Sequence, residues 1–189
     1  MCKYSGMNFL VNYFSKMRGG KHRPHRAPNH EVFWSFVGAF IGIYLVYYVG
    51  HLHELQLEDS LFLVGSFGAT AILIYGVPNS PYAQPPNLVG GHVFSAIVGV
   101  ACAWLLGNQP ALAAALAVAL ALAVMHLTNT IHPPGGATAL IAVIGGDQVH
   151  ALGFWYVLTP IALGAVIMLV VALIVNNLSP HRHYPQFWY

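Results

Sequence analysis

The stretch Asn129-Thr130-Ile131-His132-Pro133-Pro134-Gly135-Gly136-Ala137-Thr138-Ala139-Leu140 decides how this chain must be read. It sets a titratable imidazole, two prolines and two glycines inside apolar sequence. At such a break in a bilayer, backbone N–H and C=O groups find no water. The break is therefore stable only inside protein or beside a water-filled cavity. A broken polar helix at membrane depth is the usual pointer to the site of a transported solute.

Composition says why the surroundings must be lipid. Of 189 residues, 57% are hydrophobic and 6% charged, against roughly 25% charged in a soluble domain. Such a chain cannot cover a water-facing surface. Lys3, Lys16, Arg18, Lys21, Arg23 and Arg26 precede the first apolar run, Arg182 follows the last, and no Lys or Arg lies between. The positive-inside rule then puts both ends in the cytoplasm and makes the number of crossings even; a bacterial inner (plasma) membrane is the expected location. Topology and anionic lipid account for the basic arm, so no nucleic acid partner is expected. Cys2 and Cys102 form neither a disulfide framework nor a metal spacing. The first residues lack the apolar core and cleavage site of a signal peptide.

Outward from the break, the chain divides into a basic arm (1–30), a transmembrane domain (31–178) and a tail (179–189). Within the arm, Met7–Phe14 is aromatic enough to lie along a membrane as a short amphipathic helix. Long apolar runs over about 32–50, 88–106, 111–127 and 154–175 have the length a bilayer needs. Shorter ones cover about 61–77 and 136–144. The expected fold is all-α, with four long helices and two short broken or re-entrant ones in two three-helix repeats. The repeat rests on Gly68-Ala69-Thr70-Ala71, which matches Gly136-Ala137-Thr138-Ala139. If all six pieces cross, the units are inverted; if the short ones re-enter, they run parallel.

The chemistry expected at the break follows from its residue types. Pro133 and Pro134 suit a first helical turn, where the missing N–H groups would have gone unbonded anyway. Asn129 or Thr130 is placed to cap that turn. The N–H groups of Gly135, Gly136 and Ala137 would then offer an anion site without any basic side chain. Gly65, Ser66, Phe67, Gly68 and Ala69 are expected to form a second such helix start. Thr70, Thr138, Asn87 and His92 are candidate path-lining groups, and His132 a candidate proton carrier. Hydroxyls of Thr70 and Thr138 bonding back to the helix backbone are an equal alternative. His126 reads as structural. His51-x-His53-Glu54 is a loose cluster of a kind that chance produces, so no metal is assigned, and no cofactor motif occurs. His181-Arg182-His183 reads as a solvated tail. Gly38, Gly42, Gly99, Gly164 and Ala165 read as helix-packing positions. No paired carboxylates, Ser-His-Asp set, Walker loop or HExxH motif is present, so no enzyme is expected.

These motifs resemble a known family. His132-Pro133-Pro134 with Gly135–Leu140, the segment Gly65–Ala69, and Ser80-Pro81-Tyr82-Ala83-Gln84-Pro85-Pro86-Asn87-Leu88-Val89-Gly90-Gly91-His92 are similar to the HPP family of integral membrane proteins, over about residues 30–178. The resemblance implies four transmembrane segments and, from members of cyanobacteria and chloroplasts, nitrite transport. Pro86 departs from the pattern, since many bacterial members are expected to carry Arg there. The function expected is therefore a transporter or channel for a small monovalent anion, nitrite first, assembled as a homo-oligomer in the bilayer. The alternatives are a membrane sensor or assembly subunit that moves nothing, and a carrier of another small solute.

Overall fold

The computed structural model describes residues 11, 13–18, 26–52 and 57–189, with side chains described in all of these except 18, 49–52 and 57–64. Most of Met7–Phe14, and His53 and Glu54 of the His51-x-His53-Glu54 cluster, lie outside the described residues. The helices are α1 (Asn29–Leu52), α2 (Leu57–Gly76), α3 (Pro85–Leu106), α4 (Pro110–Leu127), α5 (Pro133–Ile144), the short α6 (Asp147–Leu152) and α7 (Leu163–Leu178). A widened turn over Val157–Ala162 leads into α7, and Thr159 leaves helical geometry there (φ −134, ψ 120) just before Pro160. No strand occurs among the described residues.

Local sequence accounts for the boundaries. Proline opens α3, α4 and α5, at the position where a missing N–H costs nothing. Asn29–Tyr48, α3, α4 and Val157–Leu178 are long and apolar enough to span a membrane. With 12 residues, α5 covers only about 18 Å. It still runs from one end of the bundle toward the other. His132, just before it, reaches the Tyr82 carbonyl in the α2–α3 loop. Val143, near its far end, shares a cavity with Gly107 and Pro110 of the α3–α4 turn. In contrast to the expected second helix start, Gly65–Ala69 lie in mid-helix, because α2 continues unbroken from Leu57.

Without a hydrophobic driving force between helices in lipid, close packing must hold the bundle. Small residues supply it. A Cβ added at Gly38 or Gly42 would lie 2.5 Å from the Tyr75 ring or its hydroxyl, so α1 forms a socket for that ring. Tyr75 then donates to the Met168 carbonyl at 3.1 Å. Between α4 and α5, the fully buried Ala113, Ala117 and Ala121 face Ala139 and Val143. The intervening Leu112, Leu116 and Leu120 point outward. Gly99 meets α5 so closely that a Cβ would stand 2.6 Å from the Ala139 carbonyl oxygen.

The end of the bundle that carries the tail is tied together by polar groups. Arg182, expected in a solvated tail, has a side chain only 2% exposed and pairs with Glu31 at 2.7 Å. It also donates to the carbonyls of Glu31 and Tyr75 and to the side chains of Asn176 and Ser35. Asn176 and Ser35 donate in turn to the Ile74 and Tyr75 carbonyls. These are last-turn acceptors of α2, where positive charge and donors are most useful. The start of α1, the end of α2, the start of α3 and the end of α7 therefore share one end of the molecule.

Candidate functional site

Three helices deliver polar side chains to one buried point. Thr70 comes from α2, His92 from α3 and Thr138 from α5, while His132 sits on the residue before α5. All four are 0% exposed. The Thr70 hydroxyl lies 2.7 Å from His92 Nε2 and 3.2 Å from His132 Nε2. His92 Nδ1 lies 2.7 Å from the Thr138 hydroxyl, and His132 Nδ1 lies 2.8 Å from the Tyr82 carbonyl oxygen. The two imidazoles are 5.0 Å apart centre to centre, and Phe67 packs on His92 at 4.8 Å. The Thr of each G-A-T-A match thus grips a different nitrogen of the same ring.

With both imidazoles neutral and every ring nitrogen paired, hydrogen counting gives this network one direction. A carbonyl only accepts, so His132 Nδ1 carries the hydrogen and Nε2 is an acceptor. Thr70 donates to it, and its oxygen then accepts from His92 Nε2. His92 Nδ1 is left to accept from Thr138. Donation therefore runs one way, from Thr138 to His92 to Thr70 to His132 to Tyr82. One further acceptor is within reach: the Ser66 carbonyl, 3.2 Å from the Thr70 hydroxyl. If a proton is added at His132 Nε2, Thr70 can turn its hydrogen to Ser66 and accept from both rings. Neither charge state then leaves a buried group unpaired, which is the condition for holding either at tolerable cost.

The break itself works differently from the expectation. Pro133 and Pro134 occupy the first turn as expected, but the residue before them is His132, with no side-chain cap. Asn129 and Thr130 close α4 rather than open α5. Asn129 adopts φ 53, and its N–H and that of Thr130 return to the His126 and Met125 carbonyls. This left-handed ending satisfies orphan carbonyls, and Asn tolerates it. The amides expected to receive an anion are already engaged. His132 N–H points to Met125 Sδ at 3.5 Å, Pro133 and Pro134 have none, and Gly135 N–H bonds the His132 carbonyl at 2.8 Å. From Gly136 on, N–H groups belong to the helix ladder.

The other candidates divide accordingly. Ser66 and Phe67 join the cluster. Pro134 and Gly135 pack inward, with a Cβ at Gly135 falling 2.7 Å from Ser95 Oγ and 2.8 Å from the Gly91 carbonyl oxygen. Gly65, Ala69 and Pro133 are exposed, and Gly68, Gly136 and Ala137 are half-buried on other faces. Asn87 donates to the Ile131 carbonyl at 2.9 Å and holds the break against α3. Its Oδ1 is buried with no partner. His126 is exposed, away from the cluster. No group of three or more His, Cys, Asp or Glu able to hold a metal occurs among the described residues.

Three participants escaped the sequence reading. The Tyr82 carbonyl belongs to the backbone, and no residue type signals it. Tyr156, fully buried, donates to the Thr138 carbonyl at 3.0 Å. Gln84, also fully buried, donates to the Pro78 and Ser80 carbonyls and so folds the α2–α3 loop on itself; a lone Gln in a Pro-rich stretch was its only signal.

Two proteins of Dictyostelium discoideum, each named a transmembrane protein, are similar along most of the chain. One is 48% identical over 184 residues and the other 44% over 187, each covering 96% of this chain. The chain spans only 58% and 65% of their lengths. No solved structure matches it. The family described as HPP, transmembrane region, matches residues 24–185. With its apolar spanning helices, the chain is an integral membrane protein and belongs to the HPP transmembrane family.

Proposed function

We propose that this domain carries a small monovalent anion across the membrane together with a proton, with His92 and His132 as the proton-holding groups. The observation that carries the reading is the hydrogen-bond network that accommodates one added proton by turning a single hydroxyl. A bare anion is costly at such depth, and so is a lone imidazolium. Bound together they neutralise each other. No Lys or Arg lies between Arg26 and Arg182 to do that instead. Nitrite is the substrate that the family resemblance implies.

The path would open at the end that carries the tail, where the Asn87 Oδ1 is an unused acceptor for a solute donor or water. The opposite sense of α2 and α5 supports reading the two halves as inverted units. The positive-inside rule assigns the tail end to the cytoplasm. Copies are expected to assemble in the bilayer, since thin segments leave little room for a path. On this reading the domain is a carrier and not an enzyme.

Flux into proteoliposomes tests the proposal, with nitrite as solute and formate, nitrate and chloride as competitors. Saturable uptake that an inward proton gradient increases is the expected result. His132→Ala is expected to remove the response to the gradient. Flux that His132→Ala leaves unchanged, gradient response included, would sink the proton-carrying role. Absence of flux from folded protein would sink the transport reading.

A further inference from the structure

We infer that the C-terminal segment after α7 is a strap that positions His132 from outside the helix bundle. The inference rests on the proposed function only for the importance of His132; its geometry stands apart. The His132 ring is oriented by the Tyr82 carbonyl, which belongs to the loop between α2 and α3. The tail holds that loop at the two residues that follow Tyr82. Tyr184 is 2% exposed and donates its hydroxyl to the Ala83 carbonyl at 2.7 Å. Gln186 N–H donates to Gln84 Oε1 at 2.7 Å. Tyr184 is itself clasped by α7, since Asn177 donates to its carbonyl and accepts from its N–H at 3.0 Å.

The strap is anchored at its other end by Arg182, through Glu31, Ser35, Asn176 and the Tyr75 carbonyl. It therefore joins α1, the end of α2 and the loop carrying Tyr82. Burial pushes the Tyr184 phenol above its usual range, so the hydroxyl keeps the hydrogen it donates. The Tyr82 side chain is 44% exposed and cannot itself fix the carbonyl. The loop holds its position through Ala83, Gln84 and the tail. A positioning element of this kind acts on the imidazole tautomer: with the Tyr82 carbonyl displaced, nothing obliges Nδ1 to carry the hydrogen, and the one-way donation is lost.

The test uses the full-length chain in nanodiscs with 15N-labelled histidine, His132 being assigned by His132→Gln. Tyr184→Phe removes one hydroxyl from a buried ring, and Asn177→Ala releases the clasp on the Tyr184 backbone. In the parent, His132 is expected as the Nδ1–H tautomer with slow Nδ1 proton exchange. Each variant is expected to exchange that proton about tenfold faster and to show a mixture of tautomers, while His150, distant from the strap, keeps its signals. If both variants fold and leave the His132 tautomer and exchange as in the parent, the inference is overturned. Flux measured alongside keeps the readings apart. A parent without flux but with the expected tautomer shift refutes transport and leaves the strap standing; normal flux with no shift refutes the strap.

Discussion

The two short helical pieces that carry G-A-T-A, the second half of α2 and all of α5, do the same thing at one residue and opposite things elsewhere. Both give a buried Thr to His92. The α2 piece is the interior of a continuous helix whose last carbonyls are capped by Ser35, Asn176 and Arg182. By contrast, α5 begins at a break and has its first amides consumed by prolines and by its own preceding carbonyl. The matching glycines are alike in being loosely packed. Gly68 faces open space, with nothing within 4 Å of an added Cβ, and Gly136 meets only Val118 at 3.8 Å. The tight approach falls to Gly135, which has no glycine counterpart, since Phe67 stands at the matching position. Sequence likeness therefore tracks the threonine contact, and the tight glycine approach is peculiar to α5.

The largest expected effect that would break this contrast is at Gly135. Gly135→Ala drives a methyl into the Gly91 backbone, and overpacking of this kind costs about 1–3 kcal/mol or more. Thermal unfolding in detergent should fall by several degrees, on the order of 2–4 °C per kcal/mol for a chain of this size. An unchanged midpoint would mean that α3 and α5 are less closely apposed than described.

Next comes the threonine pair. Thr70→Val strips one hydroxyl shared by two rings, so the His132 acceptor and the His92 donor each lose a hydrogen bond worth about 1 kcal/mol. Thr138→Val orphans only His92 Nδ1. Thr70→Val should therefore be the more destabilising, and in flux assays should weaken the response to a proton gradient more. Equal losses in stability would show that the two contacts are equivalent and that Thr70 is not shared between the two rings as described.

The smallest effect sharpens the comparison from the other side. Gly68→Ala meets nothing and removes glycine's helix penalty, so a gain of up to about 1 kcal/mol is expected. A clear loss of thermal stability for Gly68→Ala would mean that a partner outside the single chain covers that face.

Much of the fold was legible because a bilayer imposes strict lengths and forbids unpaired backbone. The apolar runs predict the helices to within about three residues at most ends, with α6 the main omission. Proline as a helix opener and Gly38 and Gly42 as packing positions were also readable from residue type. His132, Thr70, Thr138 and His92 were each visible as polar residues in apolar sequence. Their convergence was not, because it depends on helices meeting across separations of 22, 46 and 62 residues.

By itself, then, the sequence determined membrane class, helix positions and the choice of polar residues, since these follow from local composition and periodicity. Only the tertiary structure decided what each polar group faces. It assigned Asn129 and Thr130 to the end of α4, turned the Gly135 amide back onto the His132 carbonyl, and buried Arg182 against Glu31. It also placed the Tyr82 carbonyl on His132. The physical reason is that hydrogen-bond partners are set by distances between elements remote in the chain, and a backbone carbonyl carries no mark in the sequence.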